Sequence, residues 1–197
     1  MRICHASILA LCTALAFNCS SPADPARHAA KGDLVKGSYI AYQDSLVDCW
    51  NIMISDDNHK IIAMQNLLQE LMATSGGNAE QLERFAEQLD QLRRIRYTQN
   101  SMANSDVIEE YDFATTSLVQ ELVALAESRT DFGHNLNLQK LVDEIRLADE
   151  RVNNYRAEYD EIVSKYNHFI ALNKPYLRDI SRDSLKQKHL FQMVSVE

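Results

Sequence analysis

Three tyrosines, Tyr155, Tyr159 and Tyr166, stand in the charged stretch VNNYRAEYDEIVSKYN (residues 152–167), which contains neither glycine nor proline. A phenol works as a general acid only in a shaped pocket beside a charged or metal partner. Two further pairs, Asp56-x-x-His59 and Asp131-x-x-His134, echo the Glu-x-x-His pairs with which helical bundles hold two metals. The chain has no Glu-x-x-His, however, and the second pair falls in a predicted turn. Polar surface and helix caps are the plainer reading of both. Cys49, the one cysteine beyond residue 19, sits beside Trp50 without a CxxC or a spaced histidine, as a small buried hydrophobe does. His28, His168 and His189 are scattered, and no G-x-S-x-G, P-loop or H-E-x-x-H occurs. Arg93, Arg94 and Arg96 form the one tight basic cluster, read as a solvated helix end rather than a lipid or partner contact. The expectation is therefore no catalytic residue, no metal and no cofactor, with the tyrosines used for packing.

The tyrosines belong to a longer stripe. Alternating steps of three and four give Leu138, Leu141, Ile145, Ala148, Val152, Tyr155, Tyr159, Ile162, Tyr166 and Phe169, ten positions without a charge. Such a stripe is one face of a helix, with a coiled-coil-like seam. Asn173 breaks its register and Pro175 ends it. The same spacing over Val47, Trp50, Ile54, Asp57, Ile61, Met64, Leu68 and Leu71 predicts a long helix from Ser38 to Thr74, ended by Ser75-Gly76-Gly77. Asp57 is its one charged member: paired with a base, facing water at a bend, or a sign of wrong register. Leu82, Phe85, Leu89 and Leu92 mark a helix over 78–102. Ile108, Tyr111, Thr115, Leu118, Leu122 and Leu125 mark another, with Ser105 as its cap. No proline occurs from Ala26 to Lys174, so nothing punctuates these into strands. Each stripe must be buried against another, and short joints favour antiparallel neighbours. The expected fold is all-α, an elongated antiparallel up-down-up-down four-helix bundle over residues 38–172. The alternative is three helices, the middle two merged across SMANSD. Residues 173–197 form a tail with room for a short helix, whose Leu185, Leu190 and Phe191 dock on the bundle or on a partner.

The N-terminal MRICHASILALCTALAFNC has one early cation, Arg2, and an apolar run ending at Cys19, the pattern of an export signal. The run is marginal for a spanning helix, which needs roughly 20 residues. With the small, polar, proline-bearing residues 19–37 behind it as a tether, it resembles a bacterial lipoprotein signal: residues 1–18 removed and Cys19 acylated. Asn18 stands where that signal usually has a small residue, which keeps an ordinary secretory signal or an uncleaved anchor open. The net charge is −8, and removing residues 1–18 with Arg2 makes it −9. Such a chain repels phosphate backbones, so no nucleic-acid partner is expected.

Residues 122–167, LVALAESRTDFGHNLNLQKLVDEIRLADERVNNYRAEYDEIVSKYN, resemble the C-terminal half of LemA proteins. The matching positions are Leu122, Leu125, Ala126, Glu127, Asp131, Arg156, Tyr159, Val163, Tyr166 and Asn167; Tyr159-Asp160 stands for the first Tyr-Asn and Thr130 for a proline. Upstream, Trp50 lies sixteen residues before Asn66-Leu67-Leu68, with Gln65 for the family's proline and His59-Lys60 for an arginine pair. The resemblance implies an antiparallel helical bundle held at a bacterial membrane by its N-terminus, and no established activity. A non-enzymatic scaffold or interaction module follows, facing the periplasm or exterior. Its expected partners are the membrane, through the lipid anchor, and other envelope proteins, with a homo-oligomer left open. The alternative is a bundle with a metal, ligand or enzymatic site between its helices.

Overall fold

The computed structural model describes residues 25–74, 79–180 and 185–191, except for the side chains at 25, 27 and 28. The signal, Cys19 and the Ser75-Gly76-Gly77 joint fall outside them. Four helices follow in order: α1 (Pro25–Thr74), α2 (Ala79–Arg94), α3 (Ser105–Glu127) and α4 (Leu136–Asn173). Single 3-10 turns lie at Ser101–Ala103, Phe132–His134 and Lys174–Tyr176, and the described residues contain no strand.

Three boundaries differ from the sequence expectation, each for a local reason. Helix α1 starts at Pro25, so residues 25–37, read as tether, are helical. A proline at the first helical position loses no hydrogen bond, and Ala26, Ala29 and Ala30 favour the helix behind it. Val35 and Tyr39 then bury themselves in the core, which anchors this end. Helix α2 stops at Arg94 instead of continuing to Met102, and Tyr97 and Met102 are buried from a loop and a 3-10 turn. The cap of α3 is Asn104, whose side chain accepts from the Asp106 N–H, with Ser105 the first helical residue. Asn135 caps α4 in the same way, accepting from the Asn137 and Leu138 amides. Both caps satisfy N–H groups that the first turn leaves orphaned.

The stripes become the core. All ten α4 positions are buried or half-buried, as are the α2 and α3 stripe residues. On α1, Val47 is exposed and Trp50 and Ile54 are half-buried, while Leu46, Cys49 and Met53 are buried, so the register is shifted by one residue from Val47 to Ile54. Contacts between α1 and α4 run in opposite directions along the two chains. Lys36 meets Asp179 just beyond α4; Tyr42 meets Phe169, Trp50 meets Tyr159, Lys60 meets Asp149, and Glu70 meets Asn137. Likewise Gln65 and Asn58 of α1 meet Arg93 and Arg96, and Asp112 and Glu127 of α3 meet Arg156 and Arg146 of α4.

Candidate functional site

The charged residue on the α1 stripe is the centre of a polar knot. Asp57 is 1% exposed. Its Oδ2 accepts from the Arg96 guanidinium and, at 2.6 Å, from the Tyr111 hydroxyl. Its Oδ1 lies 3.4 Å from Lys60 Nζ, an ion-pair contact outside hydrogen-bond geometry. Lys60, itself buried, donates at 2.9 Å to Asp149 of α4. Arg96 also donates to the Asn58 side chain at 2.6 Å and the Ile54 carbonyl at 3.3 Å. Of the three readings of Asp57, pairing with a base is the observed one. Burial first, then the Asp57 charge, pushes the Tyr111 pKa well above the usual phenol range, so this hydroxyl stays a donor.

A second knot lies nearer the C-terminal end of α4. Arg156 grips Asp112 with two nitrogens, at 2.8 and 2.6 Å, and donates to the Tyr97 hydroxyl at 2.9 Å. Its guanidinium carbon is 5.2 Å from the Tyr97 ring centre and 5.1 Å from that of Phe191. Burial alone would lower its pKa, but Asp112 and Tyr97 more than offset this, and the group stays charged. Phe191 lies nearly parallel to Trp50 at 6.0 Å and edge-on to Tyr97 and Tyr159 at 5.5 and 5.6 Å.

Phe191 comes from the tail, which docks as expected but is not helical over residues 185–191. Helical hydrogen bonds are replaced by bonds to two α4 side chains. The Asn167 amide donates to the Lys188 carbonyl and accepts from the Lys188 N–H, both at 2.9 Å. Asp160 accepts from the Phe191 N–H at 2.7 Å. The Tyr166 hydroxyl donates to the Lys186 carbonyl at 3.4 Å. Tyr159, Tyr166 and Asn167 thus meet around one object, a strap, and Asp160, which follows Tyr159 as Asn167 follows Tyr166, does the same work.

The other candidates separate. Tyr155 is half-buried, and its carbonyl accepts from the Cys49 thiol at 3.5 Å. Burial, and then Glu158, pushes that thiol up to about 11. Val163 is fully buried. Glu127 pairs with Arg146 at 2.7 Å on the surface. Asn66 lines an open groove with His59, Ile62, Leu147 and Arg151. His59 is 3.5 Å from Asp56, which also pairs with Arg151 at 3.0 Å. Asp131 sits in the α3–α4 joint, held below the usual carboxylate range first by its bond to Arg129, at 2.9 Å, while His134 is exposed. Among the described residues no three His, Cys, Asp or Glu side chains gather as a metal site.

Arg96 is the partner that the basic-cluster reading missed; Arg93 and Arg94 are exposed, but Arg96 turns inward. The signal was present: three- and four-residue steps from Leu82 through Phe85, Leu89 and Leu92 land next on Arg96. One lone charge on each of two facing stripes, of opposite sign, calls for pairing. Asp112 and Tyr97, which hold Arg156, lie off every stripe and left no such mark.

Among the described residues no helix is long and apolar enough to cross a membrane. No curated protein and no solved structure matches the chain. The model of the LemA family does, over residues 60–193, from Lys60 in the last third of α1 through the Arg156 knot to the strap, with Asp57 three residues ahead of the match. The chain belongs to the LemA family.

Proposed function

We propose that this chain is a non-enzymatic cell-envelope protein, tethered to the membrane through lipid on Cys19 and acting as a scaffold or interaction module. In this reading the helices form an up-down-up-down bundle with coiled-coil-like seams, and α1 rises from the anchor as a stalk. The observation that carries it is how the chemically able groups are used. Asp57, Arg96, Lys60, Tyr111, Arg156 and Asp112 are committed to one another, and Tyr166, Asn167 and Asp160 to the strap. Buried polar groups bonded to one another rigidify a fold, which supports a structural use of them. Helix α1 begins six residues after Cys19, so a lipid there would sit at the foot of a 50-residue helix, about 75 Å long at 1.5 Å per residue. One acyl chain holds a protein marginally, whereas two or more hold it stably.

Two measurements test this. In the lipidated reading, Cys19→Ser moves the protein from the membrane fraction to the soluble one and abolishes labelling by a fatty-acid analogue; retention of the unlabelled variant in the membrane refutes the lipid. Cross-linking in intact cells, with cross-links placed on exposed α1 and α4 positions, captures recurrent envelope proteins or a second copy if the scaffold reading holds. Recovery of uncross-linked monomer alone from every position refutes it.

A further inference from the structure

We propose that the cleft between the strap and the 99–103 turn is a binding site for a small molecule bearing a phosphoryl group. Its volume is about 340 Å³, and its described lining is Gln99, Asn100, Met102, Ala103 and Tyr159 with strap residues 186–189. Tyr159 and Met102 are buried and supply the floor; the other side chains are exposed at the rim.

The charge of the lining is the first argument. In a chain of net charge −8, the described lining contains Lys186, Lys188 and His189 and no Asp or Glu. Two acids flank Tyr159 in sequence: Asp160 accepts a hydrogen bond from the Phe191 amide, and Glu158, exposed, acts on the Cys49 thiol. A cleft of one sign with low-dielectric walls concentrates counter-ions. The neutral members point the same way. The amides of Gln99 and Asn100 have N–H groups to offer, and the Tyr159 hydroxyl has no hydrogen-bond partner among the described residues. Burial first, then Asp160, raises the Tyr159 pKa to about 12, so the phenol presents a proton rather than a negative charge. A carboxylate brings one charge and two oxygens, whereas a phosphoryl group brings a charge of roughly −1.5 to −2 and three strong acceptors, the better match to two lysines, a histidine and neutral donors. The volume leaves room for the rest of a small organic phosphate.

The strap is part of the site. Lys186 and Lys188 stand where they do because Tyr166 and Asn167 hold their backbone. The cleft therefore exists only while the strap is docked, and a bound phosphoryl group would favour the docked state by the same free energy with which docking favours binding.

The phosphoryl group has two sources, a soluble phosphate ester or a lipid headgroup, and the probes separate them. Isothermal titration calorimetry on the purified full-length chain in neutral detergent, at low salt, uses inorganic phosphate, glycerol 3-phosphate and monomeric dihexanoyl phosphatidylglycerol. We expect saturable binding of at least one probe. It weakens tenfold or more in Lys186→Gln/Lys188→Gln and is unchanged in Lys140→Gln, a surface lysine on α4. Preference for the monoesters assigns a soluble ester, and preference for the phosphatidylglycerol assigns a headgroup. Trp50, the sole tryptophan, stacks on Phe191, so an unaltered emission spectrum verifies that the double variant keeps its strap docked. Should the strap be lost, Lys188→Gln alone is measured, with a threefold or greater weakening expected. Absence of saturable binding for all three probes, or equal affinity in a variant with its strap docked, overturns the proposal.

Discussion

Asp57 and Arg96 face each other across an apolar interior, where a charge without a partner is costly. Removing one member of such a pair costs about 3–5 kcal/mol, because the other is left buried and unpaired, while replacing both with apolar side chains is often near neutral. Asp57→Ala is therefore expected to lower urea-unfolding stability by about 3–5 kcal/mol. Arg96, partly open to solvent, should cost less on its own, and Asp57→Leu/Arg96→Met should cost clearly less than the two single changes added together. Additive losses would show that the ion pair is not the coupling element. A titration prediction belongs to the same scale. The Cys49 thiol is raised from 9.0 to about 11, and the Tyr159 and Tyr166 hydroxyls from 10.0 to about 12, in each case mainly by burial. The unfolded chain thus releases these protons first, so the folded state binds more of them and stability falls with rising pH. The contribution is intact below pH 9 and declines between pH 9 and 12, the thiol's share first. Unfolding curves from pH 7 to pH 11 check this: Cys49→Ala should flatten the onset near pH 9 and leave the later decline, and an unchanged onset would assign it to other groups.

At the scale of the element, the strap shows how a family motif acquires a physical meaning. The side chain of Asn167 bonds both polar groups of the Lys188 backbone, and Asp160 takes the next free amide, so α4 reads the tail through its main chain. Identity is read at one position, Phe191, among Trp50, Tyr97 and Tyr159. Phe191→Ala should free the strap, shift Trp50 emission to the red as water reaches the indole, and cost no more than about 3 kcal/mol, since the ring is only partly buried. An unshifted spectrum would mean that backbone bonds alone hold the strap. This element also marks the limit of what the sequence disclosed. The helices were legible because period and burial are one fact: ten uncharged α4 positions meant ten core-facing positions. Docking of Leu185, Leu190 and Phe191 was legible from their apolarity. Their non-helical path was not, since it depends on partners at Asp160 and Asn167 far away in the chain, which no local pattern announces. The start of α1 was misread for the opposite reason: Pro25 and two glycines look like tether locally, yet burial of Val35 and Tyr39 overrides them.

For the whole molecule, the decisive matter is the direction in which the helices run. An apolar seam is permissive, because Leu or Ile packs nearly as well one turn further along; buried charges are not, and a single polar position in a seam can fix register. Asp57 with Arg96 and Tyr111, and Arg156 with Asp112, tie α1, α3, α4 and the segment after α2 at defined heights. If these ties set an up-down-up-down arrangement, cysteine pairs at 70/137, 65/93 and 127/146 should all be joined by a short bis-maleimide, in a chain whose native cysteines are replaced by serine. Those residues are in direct contact, at 3.0, 2.6 and 2.7 Å, across α1–α4, α1–α2 and α3–α4. A 36/137 pair should resist, because Lys36 lies 34 residues, or about 50 Å, along α1 from the partner of Asn137. The Asp57→Leu/Arg96→Met variant then separates register from stability. If charge fixes the height of α2 on α1, the 65/93 yield falls while 70/137 stays high and the protein remains folded; undiminished 65/93 yield would place register in the shape of the apolar side chains instead.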